Sequence, residues 1–345
     1  LLEHGGKLRR AAQRYGISLE RWIDLSTGLN PQAWPVADIP AGAWQRLPED
    51  EDGLVEIAQE YYAAANCLPV AGSQAAIQAL PQLYAINRIK LRVGMLSPAY
   101  AEHEYAWRRA GFDVIPLAAN EIEAQVQRLD LLLIVNPNNP TGHMFEPAQL
   151  LRWHQQLALR GGSLIVDEAF MDPTPEKSLL TYTDQKGLVV LRSLGKFFGL
   201  AGARVGFVFA APDFLHLLAE LLGPWPISGP SRIIAGAALA DRDWQARTRK
   251  RLEQQSQRLA RLLTDKGLPA TAGTALFQWV ETAHAASLHQ QLARQAVLTR
   301  LFAQPSSLRF GLPANEQQWQ RLEMALSELN YMNENPDALC EVVGR

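Results

Sequence analysis

Four short islands hold the residues best suited to chemistry. Asn136-Pro137-Asn138-Asn139-Pro140-Thr141-Gly142 follows the apolar run Leu131–Val135, and its prolines hold an asparagine amide in a fixed direction. Asp167-Glu168-Ala169-Phe170 follows the run 163–166. A carboxylate at the end of a buried strand is costly unless paired, and a cationic ring nitrogen would pair with it. Taken alone, either acid also suits a helix N-cap or the surface. Ser193-Leu194-Gly195-Lys196 follows the run 188–192. Flanked by Phe197, Phe198 and Leu200, Lys196 would be desolvated, which lowers its pKa and makes it a Schiff-base nucleophile. Ser193 and Arg204 then offer a hydroxyl and a guanidinium to a phosphate. In isolation Lys196 reads as a solvated surface lysine. Ala71-Gly72-Ser73-Gln74-Ala75 opens a helical stretch whose free N–H groups suit a phosphate or a simple cap.

Such islands need a scaffold that gathers strand ends. The pattern predicts strands over 92–96, 114–117, 131–135, 163–166, 188–192 and 205–210. Between them lie predicted helices over 73–87, 102–110, 147–159 and 212–222, an α/β rhythm. Gly223-Pro224-Trp225-Pro226-Ile227-Ser228-Gly229-Pro230 breaks both periods and reads as a connector. Beyond it, helical material over 231–265, strands over 274–280, 297–302 and 308–310, and a helix over 315–329 predict a smaller α+β unit. Residues 7–15 have helical spacing with a basic face.

Composition narrows the function classes. With 33 Lys+Arg against 35 Asp+Glu, the 345 residues carry a net charge of −2, which speaks against a nucleic-acid or membrane-surface binder acting through bulk charge. The 48% hydrophobic content excludes a disordered scaffold and suffices for about two domains. No apolar run approaches the ~18 residues of a membrane helix and no signal-peptide core is seen, so a cytoplasmic protein is expected. Cys67 and Cys340 have no partner at metal spacing, so neither a disulfide framework nor a zinc site is expected. A phosphate-loop reading of Leu194-Gly195-Lys196-Phe197 fails for want of an upstream glycine and a hydroxyl residue. The glycines Gly199, Gly202 and Gly206 are misplaced for a dinucleotide fingerprint, and His103-Glu104 lacks a second histidine for zinc.

In their order along the chain, the asparagine, aspartate and lysine islands, with Gly-Leu-Ala-Gly-Ala-Arg ending at Arg204, resemble the fold-type I pyridoxal 5′-phosphate (PLP) enzymes. The likeness runs over nearly the whole chain and falls in the branch containing histidinol-phosphate aminotransferases. It implies a large α/β/α sheet domain, a smaller α+β domain and PLP as cofactor. By this resemblance Lys196 forms the internal aldimine, Asp167 pairs with the pyridinium nitrogen and Asn139 bonds the ring hydroxyl. Gly72, Ser73, Ser193 and Arg204 hold the phosphate, and Tyr100, in Ser97-Pro98-Ala99-Tyr100, stacks on the ring.

Within that branch the termini resemble the threonine-phosphate decarboxylases of cobalamin biosynthesis. His4-Gly5-Gly6 and Ile23-Asp24-Leu25-Ser26-Thr27-Gly28-Leu29-Asn30-Pro31 are similar to that family's opening segments, which line the substrate pocket. Phe170 stands where most aminotransferases carry a ring-bonding tyrosine. The resemblance implies His4, Gly5, Gly28 and Asn139 at the substrate, Arg309 on its α-carboxylate and Arg300 on its phosphate. Gly28 and Leu276 depart from asparagines of the pattern, and Leu47 from a tyrosine that reaches the partner subunit's cofactor. The expected units are an N-terminal segment over 1–40 packing on the small domain and pocket, a large PLP-binding domain over 41–230 and a small domain over 231–345. The expected activity is decarboxylation of L-threonine O-3-phosphate to (R)-1-amino-2-propanol O-2-phosphate by a homodimer, with no nucleic-acid or membrane partner and no metal. An aminotransferase acting on histidinol phosphate or a related amino acid is the alternative. A non-catalytic PLP-fold binding protein is a third reading, which the intact Lys196, Asp167, Asn139 and Arg204 set disfavours.

Overall fold

Apolar runs of five or six residues, too short for buried helices, form the strands that carry the islands. The computed structural model describes residues 2–87 and 90–329, so Cys340 and the end of the 231–345 unit lie outside the described residues. In chain order the strands are β1 (Ile23–Asp24), β2 (Leu68–Val70), β3 (Arg92–Leu96), β4 (Asp113–Leu117), β5 (Leu131–Val135), β6 (Ser163–Asp167) and β7 (Leu188–Ser193). They continue with β8 (Gly206–Phe209), β9 (Ala272–Thr274), β10 (Phe277–Glu281), β11 (Val297–Leu298), β12 (Arg300–Phe302) and β13 (Ser307–Gly311).

Seven strands make one sheet in the order β2-β8-β7-β6-β5-β3-β4. The five from β7 to β4 are parallel, and β8 runs antiparallel to both β7 and β2. Leu132, Ile134, Leu164, Val166 and Val190 point into one core, while Leu131, Leu133, Ile165, Val189 and Leu191 point into another. The first core is closed by the helices Leu54–Tyr62 and Pro147–Ala158 through Ala58 and Trp153. The second is closed by Ser73–Asn87, Ala101–Arg109 and Pro212–Leu222 through Ile77, Trp107 and Leu218. A sheet buried on both faces shows no polar alternation, which is why 131–135 reads as one apolar run. Each fully buried leucine there contributes about 1.5–3 kcal/mol.

Register places the islands. Val135 lies opposite Asp167, and Asp167 opposite Leu191, so the carboxyl ends of β5, β6 and β7 open on one edge of the sheet. Antiparallel β8 starts at that edge just after Arg204, with Gly206 opposite both Ser193 and Val70, and β2 ends there just before Gly72. Every island therefore meets at one edge.

The second unit is the sheet β12-β13-β10-β9, backed by the helices Arg242–Asp265, Ala285–Arg294 and Glu316–Ser327. Here the structure differs from the sequence expectation in three places. The 274–280 stretch is two antiparallel strands turning at Ala275 and Leu276. The 297–302 stretch divides between sheets, because β11 pairs with β1 while β12 pairs with β13. The 231–265 stretch breaks at Asp241, whose side chain caps the second helix by accepting from the Trp244 N–H at 3.0 Å.

The segment 23–34 is tied to both units. Ile23 and Leu25 N–H donate to Ala296 and Leu298 carbonyls at 2.8 Å each, and Asn30 and Trp34 N–H donate to Lys196 and Phe198 carbonyls at 3.0 and 2.8 Å. No helix among the described residues is long and apolar enough to cross a membrane.

Candidate active site

A cavity of about 370 Å³ opens at the shared sheet edge. Its lining includes His4, Ser73, Tyr100, Asn139, Asp167, Phe170, Ser193, Lys196 and Arg204, so nine of the predicted residues meet there. Lys196 follows the turn out of β7 and is packed between buried Leu194 and Phe197. Burial lowers its amine to about 8, Arg309 and Arg204 push it the same way, and Asp167 opposes them. A far larger share of this amine is neutral near pH 7 than of a surface lysine's. Its Nζ lies 5.3 Å from the centre of the Phe170 ring.

Asp167 is anchored from an unforeseen direction. Its Oδ2 lies 2.8 Å from His103 Nε2, and its Oδ1 accepts from the Ala169 N–H at 3.0 Å. Both side chains are buried. His103 sits three residues past Tyr100, so the helix Ala101–Arg109 brings both to one face, with ring centroids 6.1 Å apart. That spacing is the only local signal that could have found it. Beneath the floor, Arg192 pairs with Glu168 at 3.2 Å and Asp172 at 3.3 Å. Burial raises both carboxyls while Arg192 opposes the rise. Glu168 and Arg192 are the chain neighbours of Asp167 and Ser193, so their pair fixes two strand ends together.

An anion cradle closes one end. Gly72 has φ +71°, and a Cβ on it would lie 2.7 Å from Arg204 Nη2, so a glycine is needed for the guanidinium to lie there. A Cβ at Gly206 would collide with the Ser73 nitrogen. Arg204 itself adopts φ +54°, a strained conformation for a non-glycine residue. The first N–H groups of Ser73–Asn87 have no intrahelical acceptor, and with Ser193 and Arg204 they form a donor set for a phosphate. At the cavity wall, burial and then Glu102 push the Tyr100 phenol up to about 12, so it stays neutral and donates to Gln74 Oε1 at 3.3 Å.

The roof comes from the chain termini. Arg309 donates through Nη1 to Asn139 Oδ1 and through Nη2 to the Ser26 carbonyl at 2.7 Å, and its guanidinium lies 5.0 Å from the Phe277 ring centre. Among the described residues its buried Nε has no partner. Gly28, at φ +63°, leaves a Cβ only 3.3 Å from Phe277 and 3.5 Å from Arg309 and Phe170, so the chain passes close over all three. His4 pairs with Glu102 at 2.8 Å, and the other Glu102 oxygen accepts from Gln74 at 2.9 Å and Gln78 at 3.2 Å. Neither Glu102 nor Gln74 was singled out from sequence.

Arg300 and Gly5 are placed differently. Arg300 stands directly opposite Arg309 across β12 and β13, yet its guanidinium donates to the Glu3 carbonyl. Together with Gly5 it borders a second cavity that shares His4 with the first. A Cβ at Gly5 would collide with the Ser26 carbonyl, so the N-terminal strap lies flush on the segment that binds Arg309.

The set fits a phosphorylated pyridine aldehyde: an anion cradle, a buried carboxylate, a neutral aromatic wall and an amine of lowered pKa. The aminotransferase class I and II family model matches residues 45–330. A Pseudomonas aeruginosa protein named threonine-phosphate decarboxylase is 55% identical over 326 residues, covering 94% of this chain and 97% of its own. A Sinorhizobium protein of the same name is 40% identical over 332 residues, covering 94% and 98%. Among solved structures, histidinol-phosphate aminotransferase from Sinorhizobium meliloti, in complex with pyridoxal-5′-phosphate, superposes with a TM-score of 0.79 at 20% identity, covering 95% of each chain.

Proposed function

The chain belongs to the class I and II aminotransferase family, and within it we propose a PLP-dependent lyase that decarboxylates L-threonine O-3-phosphate to (R)-1-amino-2-propanol O-2-phosphate, a step of cobalamin biosynthesis. The observation that carries decarboxylation over transamination is the 55% identity to the P. aeruginosa decarboxylase, which extends over 97% of that protein.

PLP supplies a conjugated sink for the electrons left on the substrate carbon when a bond there breaks. In this reading Gly72, Ser73, Ser193 and Arg204 bind its phosphate, and the Asp167 carboxylate, oriented by His103, bonds the ring nitrogen. Tyr100 lies against the ring, with Asn139 and Phe170 at its edges. Lys196 Nζ is the point of attachment and, when released, can hold a proton and return it. Arg309 orients the substrate carboxylate, while Arg300 and His4 bind the substrate phosphate through charge-assisted bonds. Gly5 and Gly28 permit the close approach of the strap and roof that excludes water.

The same reading groups residues 1–40, 41–230 and 231–345 as N-terminal segment, large domain and small domain. Pairing of β1 with β11, and confinement of the large sheet to residues 68–209, support it. It also includes a homodimer. Trp44, Leu47 and Trp225, exposed at 68, 63 and 58%, are the apolar groups that a second copy would cover.

The deciding experiment mixes cofactor-loaded protein with L-threonine O-3-phosphate and no oxo acid. Sustained CO₂ release is expected. Turnover that stops after one cycle until a 2-oxo acid is added, with no CO₂, would overturn the reading in favour of an aminotransferase.

A further inference from the structure

The chain that follows Lys196 is seated by a helix of the second unit. Phe197 is fully buried, and two residues of the helix Arg242–Asp265 meet its ring. Trp244 packs edge-on with ring centroids 5.5 Å apart, and the Arg249 guanidinium carbon lies over the ring, 5.4 Å from its centre. Phe198 stacks on the same Trp244 at 5.6 Å with the planes 12° apart. The backbone at this point is tied separately, since Asn30 donates from its N–H to the Lys196 carbonyl at 3.0 Å and from Nδ2 to the Phe197 carbonyl at 2.8 Å.

Arg249 also reaches the floor. Its Nε donates to the Asp172 carbonyl at 2.9 Å and its Nη2 to the Tyr61 hydroxyl at 3.2 Å, and that hydroxyl donates to Asp172 Oδ1 at 3.2 Å. Asp172 lies two residues past Phe170 and pairs with Arg192, the residue before Ser193. Both groups that Arg249 bonds are uncharged, so the bonds fix the plane of the guanidinium over the Phe197 ring, which a single ammonium could not do. Arg249 does not line the catalytic cavity.

A lysine carries its amine on a long flexible stem, so the backbone beneath it is the fixed end of its reach. Misplacing a reacting group by about 1 Å can cost about 10²-fold in rate. We propose that Arg249 is a positioning residue for Lys196: acting through Phe197, it fixes the backbone from which the amine reaches the cofactor, and through Asp172 it ties that seat to the segment carrying Asp167 and Phe170. The proposal rests on the reading that Lys196 is the point of attachment. Loss of Arg249 slows the steps that the amine performs and leaves substrate affinity alone.

The test follows PLP capture by cofactor-free protein through its visible absorbance, with no substrate present, in the parent, Arg249→Met, Arg249→Lys and Arg258→Ala. Arg249→Met is expected to capture PLP about tenfold more slowly, with the rate levelling at the same pH as in the parent, and once loaded to lose about tenfold in kcat at the parent KM. Arg249→Lys keeps a cation for the ring without the forked bonds and should fall between the two. Arg258→Ala removes other contacts of the same helix, the two 2.7 Å bonds to Glu316 and the face of Trp319, and should capture at the parent rate. Capture by Arg249→Met at the parent rate would overturn the proposal. Equal slowing in Arg258→Ala would do the same, because any loosening of the helix would then suffice. So would levelling that moves toward pH 10.5, the ordinary lysine value, because Arg249 would then be excluding water from the amine rather than placing it. If Arg249→Met fails to fold, Arg249→Lys decides, and capture at the parent rate overturns the proposal. Absence of CO₂ release from the loaded parent would sink the decarboxylase reading while leaving the capture rates readable, so the two fail separately.

Discussion

Asp167, Ser193 and Arg204 reach the catalytic cavity from the ends of neighbouring strands, whereas Ser26 and Arg309, which meet above it, are 283 residues apart in the chain. The floor is set by sheet register and backed by two buried cores, so its geometry is shared across a fold. The roof is held by individual polar bonds, such as Arg309 to Asn139 and His4 to Glu102, that can change one at a time. That difference explains how one scaffold can keep a cofactor and exchange substrates.

Breaking the floor should have the largest effect. Lys196→Ala is expected to lower turnover by more than about 10³-fold and to remove the cofactor's lysine-bound visible absorbance; activity near the parent level would dismiss the site assignment. Arg192→Met would strand Glu168 without its cation and leave Asp172 only Arg249 and Tyr61, and should cost about 3–5 kcal/mol in denaturant unfolding. A loss under ~1 kcal/mol would show that the strand ends do not depend on this pair.

The roof should respond differently. Arg309→Ala should raise substrate KM about 10- to 100-fold, consistent with loss of a charged bidentate contact of roughly 1.5–3 kcal/mol, and leave the spectrum intact. A spectral shift of the Lys196→Ala kind would mean that roof and floor are not separable. Capture of PLP by the cofactor-free protein offers a gentler test of the floor. Because only the neutral amine attacks and burial lowers Lys196 to about 8, the rate should rise up to tenfold per pH unit below about 8 and level above it. A midpoint near 10.5, the ordinary lysine value, would show that the amine is not desolvated. The smallest effect is expected from Glu102→Gln, a rise in KM of a few-fold at unchanged kcat, since one hydrogen bond to His4 contributes about 0.5–1.5 kcal/mol.

The floor was legible because its signals are local. Leu131–Val135 is a contiguous apolar run and Arg92–Leu96 is one after its first residue, and the islands begin where the runs stop. Short β2 was not read, since Pro69 interrupts a three-residue strand. The turn at Ala275 and Leu276 is made of apolar residues that carry no turn signal, so β9 and β10 read as one. The change of sheet at Thr299 is set by β1, distant in sequence, which takes β11 while the neighbouring β13 takes β12. His103 has only its spacing from Tyr100 to mark it, and its partner Asp167 is fixed by the fold. Arg300 was legible as a phosphate-binding candidate, but the side of His4 on which it works depends on where the first six residues lie.

The double stitching of residues 23–34 also sets a timetable. During synthesis this segment leaves the ribosome early, yet its first set of partners, residues 196–198, and its second, residues 296–298 and 309–311, are made much later. Closing such distant pairs is a slow, non-local event, so the strands of the large sheet can form before the roof has anything to hold. A chain interrupted before residue 296 could tie residues 30–34 to 196–198 but would leave residues 23–25 without their strand partner, so half of the stitching waits for the last stretch of synthesis.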